Sequence, residues 1–264
     1  MSQIKAIVLR AAGINCDMET QYAFEMAGAQ AQRIHINRVI ENPAMLNEYQ
    51  ILVVPGGFSY GDDVAAGKIL ANQLKHHLYE NVRQFIDAGK LVLGICNGFQ
   101  VLVKAGLLPG PTNGETASAE QPLTITNNDS GKFEDRWVYL EPVSNRCVFI
   151  EQGRRIALPI AHGEGKVVFK DEETRRYINE NHYVAFKYVD KDGKEGSFPV
   201  NPNGSTDAIA GLTDATGRVL GLMPHPERFV RNTQHPHWTR LKDKRDADGT
   251  TIFTNAVSYA QKNL

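Results

Sequence analysis

A cysteine flanked by two glycines marks the stretch of this sequence that is best suited to chemistry. The apolar run Leu91–Ile95, which has the length of a buried strand, leads into Gly94-Ile95-Cys96-Asn97-Gly98 and then into a helical pattern. This is the cysteine form of the nucleophile elbow, a sharp strand-to-helix turn in which a Cβ at either glycine would collide with the neighbouring turn. The helix N-terminus favours a thiolate at Cys96. The pentapeptide alone fits a small buried core cysteine equally well.

A nucleophilic cysteine needs a base, and the base needs an orienting group. His225 follows a strand-like run and lies in Met223-Pro224-His225-Pro226-Glu227-Arg228. The two prolines predict a rigid, extended segment, in which residues i and i+2 point to the same side. Glu227 is therefore expected to approach the ring of His225 and to orient it toward Cys96. The alternative is a surface histidine beside a solvated glutamate, and the elbow favours the catalytic interpretation.

A glycine-rich loop supplies the third part of the predicted site. Pro55-Gly56-Gly57-Phe58 follows the apolar run Ile51–Val54, so it opens at the same sheet edge as the elbow. The backbone N–H of Gly57 or Phe58 is expected to join that of Asn97 in binding a developing oxyanion. Alone, this loop would be an ordinary glycine turn, but consecutive strands of a doubly wound sheet can be neighbours around a crevice.

Four other residues lie in or near the predicted site or are further cysteines. Gln100 lies four residues past the nucleophile, where it can meet substrate or simply cover a helix surface. We expect Cys16, in the turn after the first strand, to be structural, and Cys147, in a run with apolar neighbours, to be core. His162 has too few spacing-matched neighbours for a metal site, so no metal is expected; it either lines the site or docks a partner, or else it makes a local hydrogen bond.

The pattern of apolar runs predicts an α/β fold. Four strand-like runs alternate with helical segments in the first ~105 residues, which is typical of a parallel sheet with helices on both faces. Shorter strand-like runs follow and predict an antiparallel extension of the same sheet within one domain, residues 1–264. The predicted strands are 5–9, 31–36, 51–54, 91–95, 123–126, 137–140, 155–160, 184–188, 209–212 and 219–223. The predicted helices are 17–27, a single amphipathic helix over 67–88, and 252–262, with residues 240–249 as a solvated loop.

Composition excludes several classes of protein. The chain has 264 residues and a formal net charge of −1, which gives no electrostatic reason to bind nucleic acid or an anionic membrane. It begins with no signal-peptide pattern, and its apolar runs are far shorter than the ~20 residues that span a bilayer. Three scattered cysteines do not form a disulfide framework. We therefore expect a soluble cytoplasmic protein with reduced thiols.

The sequence resembles the class I (triad) glutamine amidotransferases through its elbow and His225-Pro226-Glu227. Within this class it is similar to the glutaminase subunits of phosphoribosylformylglycinamidine synthases, which act in de novo purine synthesis. The narrower resemblance covers nearly the whole chain and rests on segments in the family's order. They are Gly13-Ile14-Asn15-Cys16-Asp17, Pro55 to Asp63, Ala161-His162-Gly163-Glu164-Gly165, Asn201-Pro202-Asn203-Gly204-Ser205 and Met223 to Arg228. The resemblance implies a flavodoxin-like fold.

The resemblance also implies roles for the site residues. Cys96 would attack the side-chain amide of glutamine to form a γ-glutamyl thioester, His225 would act as the base and protonate departing ammonia, and Glu227 would orient it. Ammonia would pass to a synthetase subunit that binds ATP, Mg²⁺ and formylglycinamide ribonucleotide, and a small third subunit is expected. No cofactor is expected on this chain, which has no Walker-type phosphate loop.

Two other function classes compete with this interpretation. A stand-alone cysteine hydrolase or deglycase-like enzyme commonly has its histidine directly after the cysteine, whereas Asn97 follows Cys96 here. A non-catalytic scaffold subunit would have lost the cysteine or the histidine, and both are present. The segments 190–206 and 229–249 are longer than in compact members of the family, and they are expected to serve a partner interface.

Overall fold

The computed structural model describes residues 3–110, 121–240 and 247–264. The strands in these residues are β1 Lys5–Arg10, β2 Gln30–His35, β3 Ile51–Val54, β4 Leu91–Ile95, β5 Leu123–Asn127, β6 Glu134–Pro142, β7 Ile156–His162, β8 Glu164–Phe169, β9 Val184–Val189, β10 Ile209–Thr213 and β11 Val219–Leu222. The α-helices are α1 Asp17–Met26, α2 Ile36–Glu41, α3 Lys68–Gln73, α4 Tyr79–Asp87, α5 Asn97–Lys104, α6 Glu172–Glu180 and α7 Thr250–Asn263.

One mixed sheet holds nine of these strands, in the order β2-β1-β3-β4-β11-β10-β9-β6-β7. The first five strands in this order pair in parallel, and they repeat the 2-1-3-4-5 order of the flavodoxin-like fold with β11 in fifth place. The other four pair antiparallel, and β5 and β8 form a separate two-stranded antiparallel sheet. The predicted α/β fold, with a parallel sheet continued by an antiparallel extension, is confirmed.

Burial follows position in the sheet. Every residue of β3 and β4 is buried, as is typical of parallel strands that are covered on both faces. In β7 buried residues alternate with half-buried ones, which is typical of a strand with one covered face. The helices lie around the sheet, with α1 packed on α7 and α3 on α5. The rings of Phe24 and Phe253, 4.9 Å apart and edge to face, join α1 to α7.

The long helix predicted over residues 67–88 is interrupted. The structure has α3, then a π-helical turn over Leu74–Leu78, then α4. Leu78, with φ −130° and ψ 0°, leaves the helical region and separates the two α-helices. The apolar spacing still buries one face of the whole segment, which is why the pattern predicts a single helix.

Three short elements have no counterpart in the predicted set: α2, α6 and β8. The second strand ends at His35 rather than Ile36, because the His35 side chain accepts the N–H of Asn37 and begins α2. Asp171 begins α6 in the same way, accepting the N–H of Thr174 at 2.7 Å. In both cases a local capping bond starts a helix that is too short to show a clear period in the sequence.

The predicted solvated loop over 240–249 is only partly described. Residues 241–246 lie outside the described residues, while Ala247 and Asp248 are buried, so the prediction is wrong for them. Oδ2 of Asp248 accepts the N–H of Ala157 at 2.9 Å, and Arg154 lies 3.4 Å from Oδ1. A buried carboxylate with such partners ties the tail to β7.

Cys147 is buried in the core, as predicted. No helix in the described residues is both long and apolar enough to cross a membrane.

Candidate active site

The elbow has the geometry that its glycines predict. Cys96 lies between β4 and α5 with φ 50° and ψ −107°, a strained conformation for a residue with a side chain. A Cβ on Gly98 would lie 1.8 Å from the carbonyl oxygen of Val54, and one on Gly94 would lie 2.8 Å from that of Gly98. The N–H of Cys96 donates to the carbonyl of Leu222 at 2.8 Å, which joins the elbow to β11. The turn therefore requires glycine on both sides of the cysteine.

His225 and Glu227 form a buried pair directly after β11. Nδ1 of His225 lies 2.6 Å from Oε1 of Glu227, and both side chains are almost completely buried. The segment is not extended as predicted: Pro226–Arg228 is a turn of 3-10 helix, with Pro226 in its first position. This turn, rather than strand geometry, brings the carboxylate to the ring.

The electrostatic surroundings of His225 favour its protonated form. Burial by itself lowers the pKa of the imidazole, but the charge of Glu227 and the interactions with Cys96 and Cys16 raise it, and the net result is a pKa well above its ordinary value. Nδ1 is committed to Glu227, whereas Nε2 is buried without a hydrogen-bond partner in the described part of the chain. Nε2 is therefore the nitrogen that remains for the nucleophile and the substrate.

The far edge of the sheet also reaches the site. The N–H of His225 donates to the carbonyl of Pro159 at 2.8 Å, and Sγ of Cys96 lies 3.7 Å from the carbonyl of Ala161. Both partners belong to β7, although four strands separate β7 from β4 in the sheet order. The antiparallel extension therefore curls over the carboxyl edge of the parallel strands and forms one wall of the site.

The predicted oxyanion loop is held by the segment that follows β1. Gly57 has φ 137° and pairs with Ile14 in an isolated bridge, and a Cβ on Gly57 would lie 2.7 Å from the backbone nitrogen of Asn15. The N–H of Phe58 donates to the carbonyl of Gly13 at 2.9 Å, so in this conformation it does not serve an oxyanion, and Gly57 remains of the two predicted alternatives. The N–H of Gly57 has no hydrogen-bond partner among the described residues.

Asn97 links the oxyanion loop to the elbow. It is the first residue of α5, where backbone N–H groups have no partner within the helix. Its side-chain oxygen accepts the N–H of Ser59 at 3.2 Å, and its amide nitrogen lies 2.9 Å from Asp62 and 3.0 Å from Gln100. Gln100 in turn donates to the carbonyl of Glu164. Both ends of the Gln100 amide therefore have protein partners, and the residue braces the wall of the site.

A cavity of about 190 Å³ opens beside the nucleophile. The rings of Phe58 and Phe133, whose centroids are 6.3 Å apart, lie at its rim and are partly exposed. Its lining residues are Gly57, Phe58, Asp62, Ala66, Cys96, Gln100, Asn127, Phe133, Ala161, His162, Gly163 and Glu164. The predicted candidates Gly57, Phe58, Cys96 and Gln100 thus share one cavity, together with segments from both halves of the sheet.

His162 is a buried neutral histidine in the cavity wall. Burial lowers its pKa to about 4, and the charge of His225 contributes to the shift. Nδ1 lies 3.1 Å from Oδ1 of Asn128, whose amide nitrogen donates to the carbonyls of Lys132 and His162 itself. Because Oδ1 can only accept, the ring proton is on Nδ1, and Nε2 is a buried acceptor with no partner in the described chain.

Cys16 lies closer to the base than the sequence suggests. Its sulfur is 4.0 Å from Nδ1 of His225 and accepts from Nη2 of Arg228 at 3.1 Å. The signal for this placement is its position in the loop between β1 and α1, since the segments that follow β1, β3, β4 and β11 meet at one edge of a parallel sheet. A structural role was predicted because no second His-x-Glu pair accompanies this cysteine.

The donor atoms of Cys16, His225 and Glu227 lie within 4.8 Å of one another, a spacing also found around metal ions. The cluster fits a metal poorly. The guanidinium of Arg228, 3.1 Å from the sulfur, already places a positive charge there, and burial raises the pKa of the Cys16 thiol to about 11, so the ligand form is disfavoured. These residues therefore fit the hydrogen-bonding of a base better than the coordination of a metal.

A family model, curated relatives and a solved structure all relate this chain to the same family of proteins. Residues 3–260 match the family model of the CobB/CobQ-like glutamine amidotransferase domain. The chain is 49% identical over 265 residues to phosphoribosylformylglycinamidine synthase subunit PurQ of Dehalococcoides mccartyi, covering 99% of this chain and 100% of that protein. The PurQ subunit of Archaeoglobus fulgidus is 39% identical over 273 residues, with 98% of each covered. A chain of the PurLQS structure from Thermotoga maritima superposes with a TM-score of 0.73 at 31% identity, covering 98% of this chain and 99% of that one.

Proposed function

This chain belongs to the glutamine amidotransferases with a CobB/CobQ-like domain, and we propose that it is the glutaminase subunit of a phosphoribosylformylglycinamidine synthase. One observation carries the proposal. The elbow cysteine, Cys96, lines the cavity and interacts with His225, whose charge Glu227 stabilises. Nucleophile, acid–base group and orienting carboxylate thus stand in the roles of a Cys-His-Glu triad.

The first half of the reaction forms a thioester. Nε2 of His225 takes the proton of the Cys96 thiol, the sulfur attacks the side-chain carbonyl carbon of glutamine, and the carbonyl oxygen becomes an oxyanion that the N–H groups of Gly57 and Asn97 stabilise. His225, protonated at Nε2, gives its proton to the amide nitrogen as the C–N bond breaks. Ammonia leaves, and the γ-glutamyl group remains on sulfur. The raised pKa of His225 supports this step, because the acid must hold its proton until the nitrogen departs.

The second half releases glutamate. Neutral His225 takes a proton from water through Nε2, and the hydroxide attacks the thioester carbonyl within the same oxyanion site. The C–S bond then breaks, glutamate leaves, and the sulfur and imidazole return to their starting state. Glu227 keeps Nδ1 protonated throughout, so that Nε2 alone exchanges protons.

Ammonia has a productive use only with an acceptor. The Thermotoga maritima neighbour is part of a PurLQS structure, and by this likeness we assign the chain a synthetase subunit and a small third subunit as partners. ATP and Mg²⁺ belong to the synthetase, and this chain needs no cofactor of its own. The exposed apolar side chains of Phe58, Val64 and Phe133 at and beside the cavity rim supply a surface for such a partner. Three free cysteines support a cytoplasmic location.

Covalent labelling tests the proposal. A diazo-ketone analogue of glutamine should alkylate Cys96 and no other thiol, and glutamine should protect it. Cys16 and Cys147 serve as internal controls, because burial raises the pKa of Cys16 to about 11 and that of Cys147 to about 12. Peptide mapping that finds the label on another residue, or labelling that glutamine does not slow, would refute the proposed function.

A further inference from the structure

Cys16 packs directly against the catalytic base, in a place that the triad does not account for. It precedes α1, is completely buried, and its sulfur lies 4.0 Å from Nδ1 of His225. Gly56 makes room for this contact. A Cβ at that position would lie 2.8 Å from Cε1 of His225 and 3.1 Å from the sulfur of Cys16. The imidazole is therefore enclosed on its Nδ1 edge by Cys16, Gly56 and Glu227.

The sulfur has a defined hydrogen-bonding role. The thiol donates to Oδ1 of Asn15 at 3.2 Å and accepts from Nη2 of Arg228 at 3.1 Å. The proton on Nδ1 belongs to the much shorter bond with Glu227, so the sulfur does not compete for it. Cys16 thus contacts the base as a neutral group with both its donor and its acceptor capacity used.

Arg228 connects this contact to α1. Its Nε lies 2.9 Å from Oε1 of Glu19, while Nη2 reaches Cys16. Arg228 also follows Glu227 in the chain, so the guanidinium is anchored at one end to the triad turn and at the other to the helix. A continuous path of contacts runs from Glu19 through Arg228 and Cys16 to the imidazole.

We propose that Cys16 is a positioning residue for His225 and that, with Arg228, it holds the imidazole against Glu227 so that Nε2 stays turned toward Cys96. The inference rests on the proposed triad. Cys16 is not among the residues that line the cavity, so it acts on the chemical step rather than on glutamine binding. A ring that can tilt away from Glu227 delivers its proton less often in the productive orientation.

The test compares Cys16→Ala with Cys16→Ser in the complex assembled with the synthetase. Alanine leaves a gap beside the ring and removes the acceptor for Arg228, so kcat for glutamine-dependent synthesis should fall about tenfold or more while KM stays within about twofold. Serine keeps a donor and an acceptor, so kcat of Cys16→Ser should stay within about threefold of the wild-type kcat. Cys147→Ala, which removes another buried thiol, should leave kcat unchanged.

Folding is controlled within the same experiment. Co-elution with the synthetase in gel filtration reports that each variant still folds and assembles, and Arg228→Lys, which keeps the charge but shortens its reach, should also lower kcat without raising KM. A Cys16→Ala complex with unchanged kcat would overturn the inference, as would equal losses in Cys16→Ala and Cys16→Ser or a parallel rise in KM. Labelling of Cys96 by the diazo-ketone in the unchanged protein tests the proposed function separately, so the two failures are distinguishable.

Discussion

The backbone N–H of Phe58 donates to the carbonyl of Gly13 at 2.9 Å, and this bond ties the oxyanion loop to the segment that follows β1. In this arrangement the N–H of Gly57 has no hydrogen-bond partner among the described residues, while that of Phe58 is occupied by the carbonyl of Gly13. Gly56 and Gly57 precede the bond, and glycines allow the peptide to rotate at low cost. An oxyanion site that lacks one donor loses several kcal/mol of transition-state stabilisation.

We therefore expect the isolated chain to be a poor glutaminase that its partner activates. Docking of the ligand-loaded synthetase would select a loop conformation with a second donor, and a rise of at least about tenfold in turnover requires only ~1.4 kcal/mol of differential stabilisation. The measurement is glutamate release by the chain alone and then with synthetase, ATP and formylglycinamide ribonucleotide. Equal rates would exclude this gating. High activity on unrelated substrates without a partner would favour a stand-alone hydrolase.

The His225–Glu227 pair predicts an order of severity for two substitutions. His225→Ala removes the group that exchanges protons and should lower glutamine-dependent turnover roughly 10³-fold or more. Glu227→Gln keeps the shape but removes the charge, so it should cost less. It should also lower the pKa of His225, because Glu227 raises it, and the limb of the pH profile that reports this acid should move to lower pH. A larger loss in Glu227→Gln than in His225→Ala would contradict these roles.

Gly98 should tolerate no side chain. In Gly98→Ala the Cβ would lie 1.8 Å from the carbonyl oxygen of Val54, a backbone atom of the neighbouring strand that cannot move away cheaply. We expect the free energy of unfolding to fall by at least about 2 kcal/mol. The matched control is Gly196→Ala, whose Cβ would meet only Val200 at 3.4 Å, an ordinary contact, and whose effect should stay within about 0.5 kcal/mol. Equal stability of the two variants in denaturant titrations would contradict the elbow geometry.

Because His162 is buried in its neutral form, we expect the free energy of unfolding to decrease in mild acid. Its pKa is about 4 in the folded protein against an ordinary 6.5, so the unfolded chain takes up a proton as the pH falls below 7 and the folded chain does not. The contribution of His162 should therefore decrease by about 2 kcal/mol between pH 7 and pH 5.

The measurement is the free energy of unfolding at both pH values for the unchanged protein and for His162→Gln. Carboxylates and His225 titrate in both proteins, so their effects cancel in the difference. The variant should lose about 2 kcal/mol less stability over this interval. An identical slope in His162→Gln and the unchanged protein would show that His162 is not buried in its neutral form.

Local patterns were sufficient to predict the parts of the site that lie within one segment. The glycines around Cys96, the turn after β3 and the His225-x-Glu227 spacing each reflect a constraint between residues close in sequence. The strands of the parallel half could also be predicted in outline, because buried parallel strands form continuous apolar runs.

Contacts between distant segments could not be predicted. The hydrogen bond from Phe58 to Gly13 and the contact of Cys16 with His225 depend on how β1 packs beside β3 and on which turn holds the base. The approach of Ala161 to Cys96 depends on the curl of the antiparallel strands, and no single-segment period encodes such curvature. The contact of Ala161 with Cys96 places β7 in the wall of the cavity, and the contact of Cys16 with His225 encloses the base.

The most direct test of the proposed glutaminase function compares two nitrogen sources in one complex. Cys96→Ala removes the nucleophile but leaves the cavity wall, the loop held by Asn97 and the partner surface in place. In the complex assembled with the synthetase, this variant should lose glutamine-dependent synthesis of formylglycinamidine ribonucleotide and keep ammonia-dependent synthesis near the level of the unchanged protein. Glutamine-dependent synthesis that survives in Cys96→Ala would contradict the account.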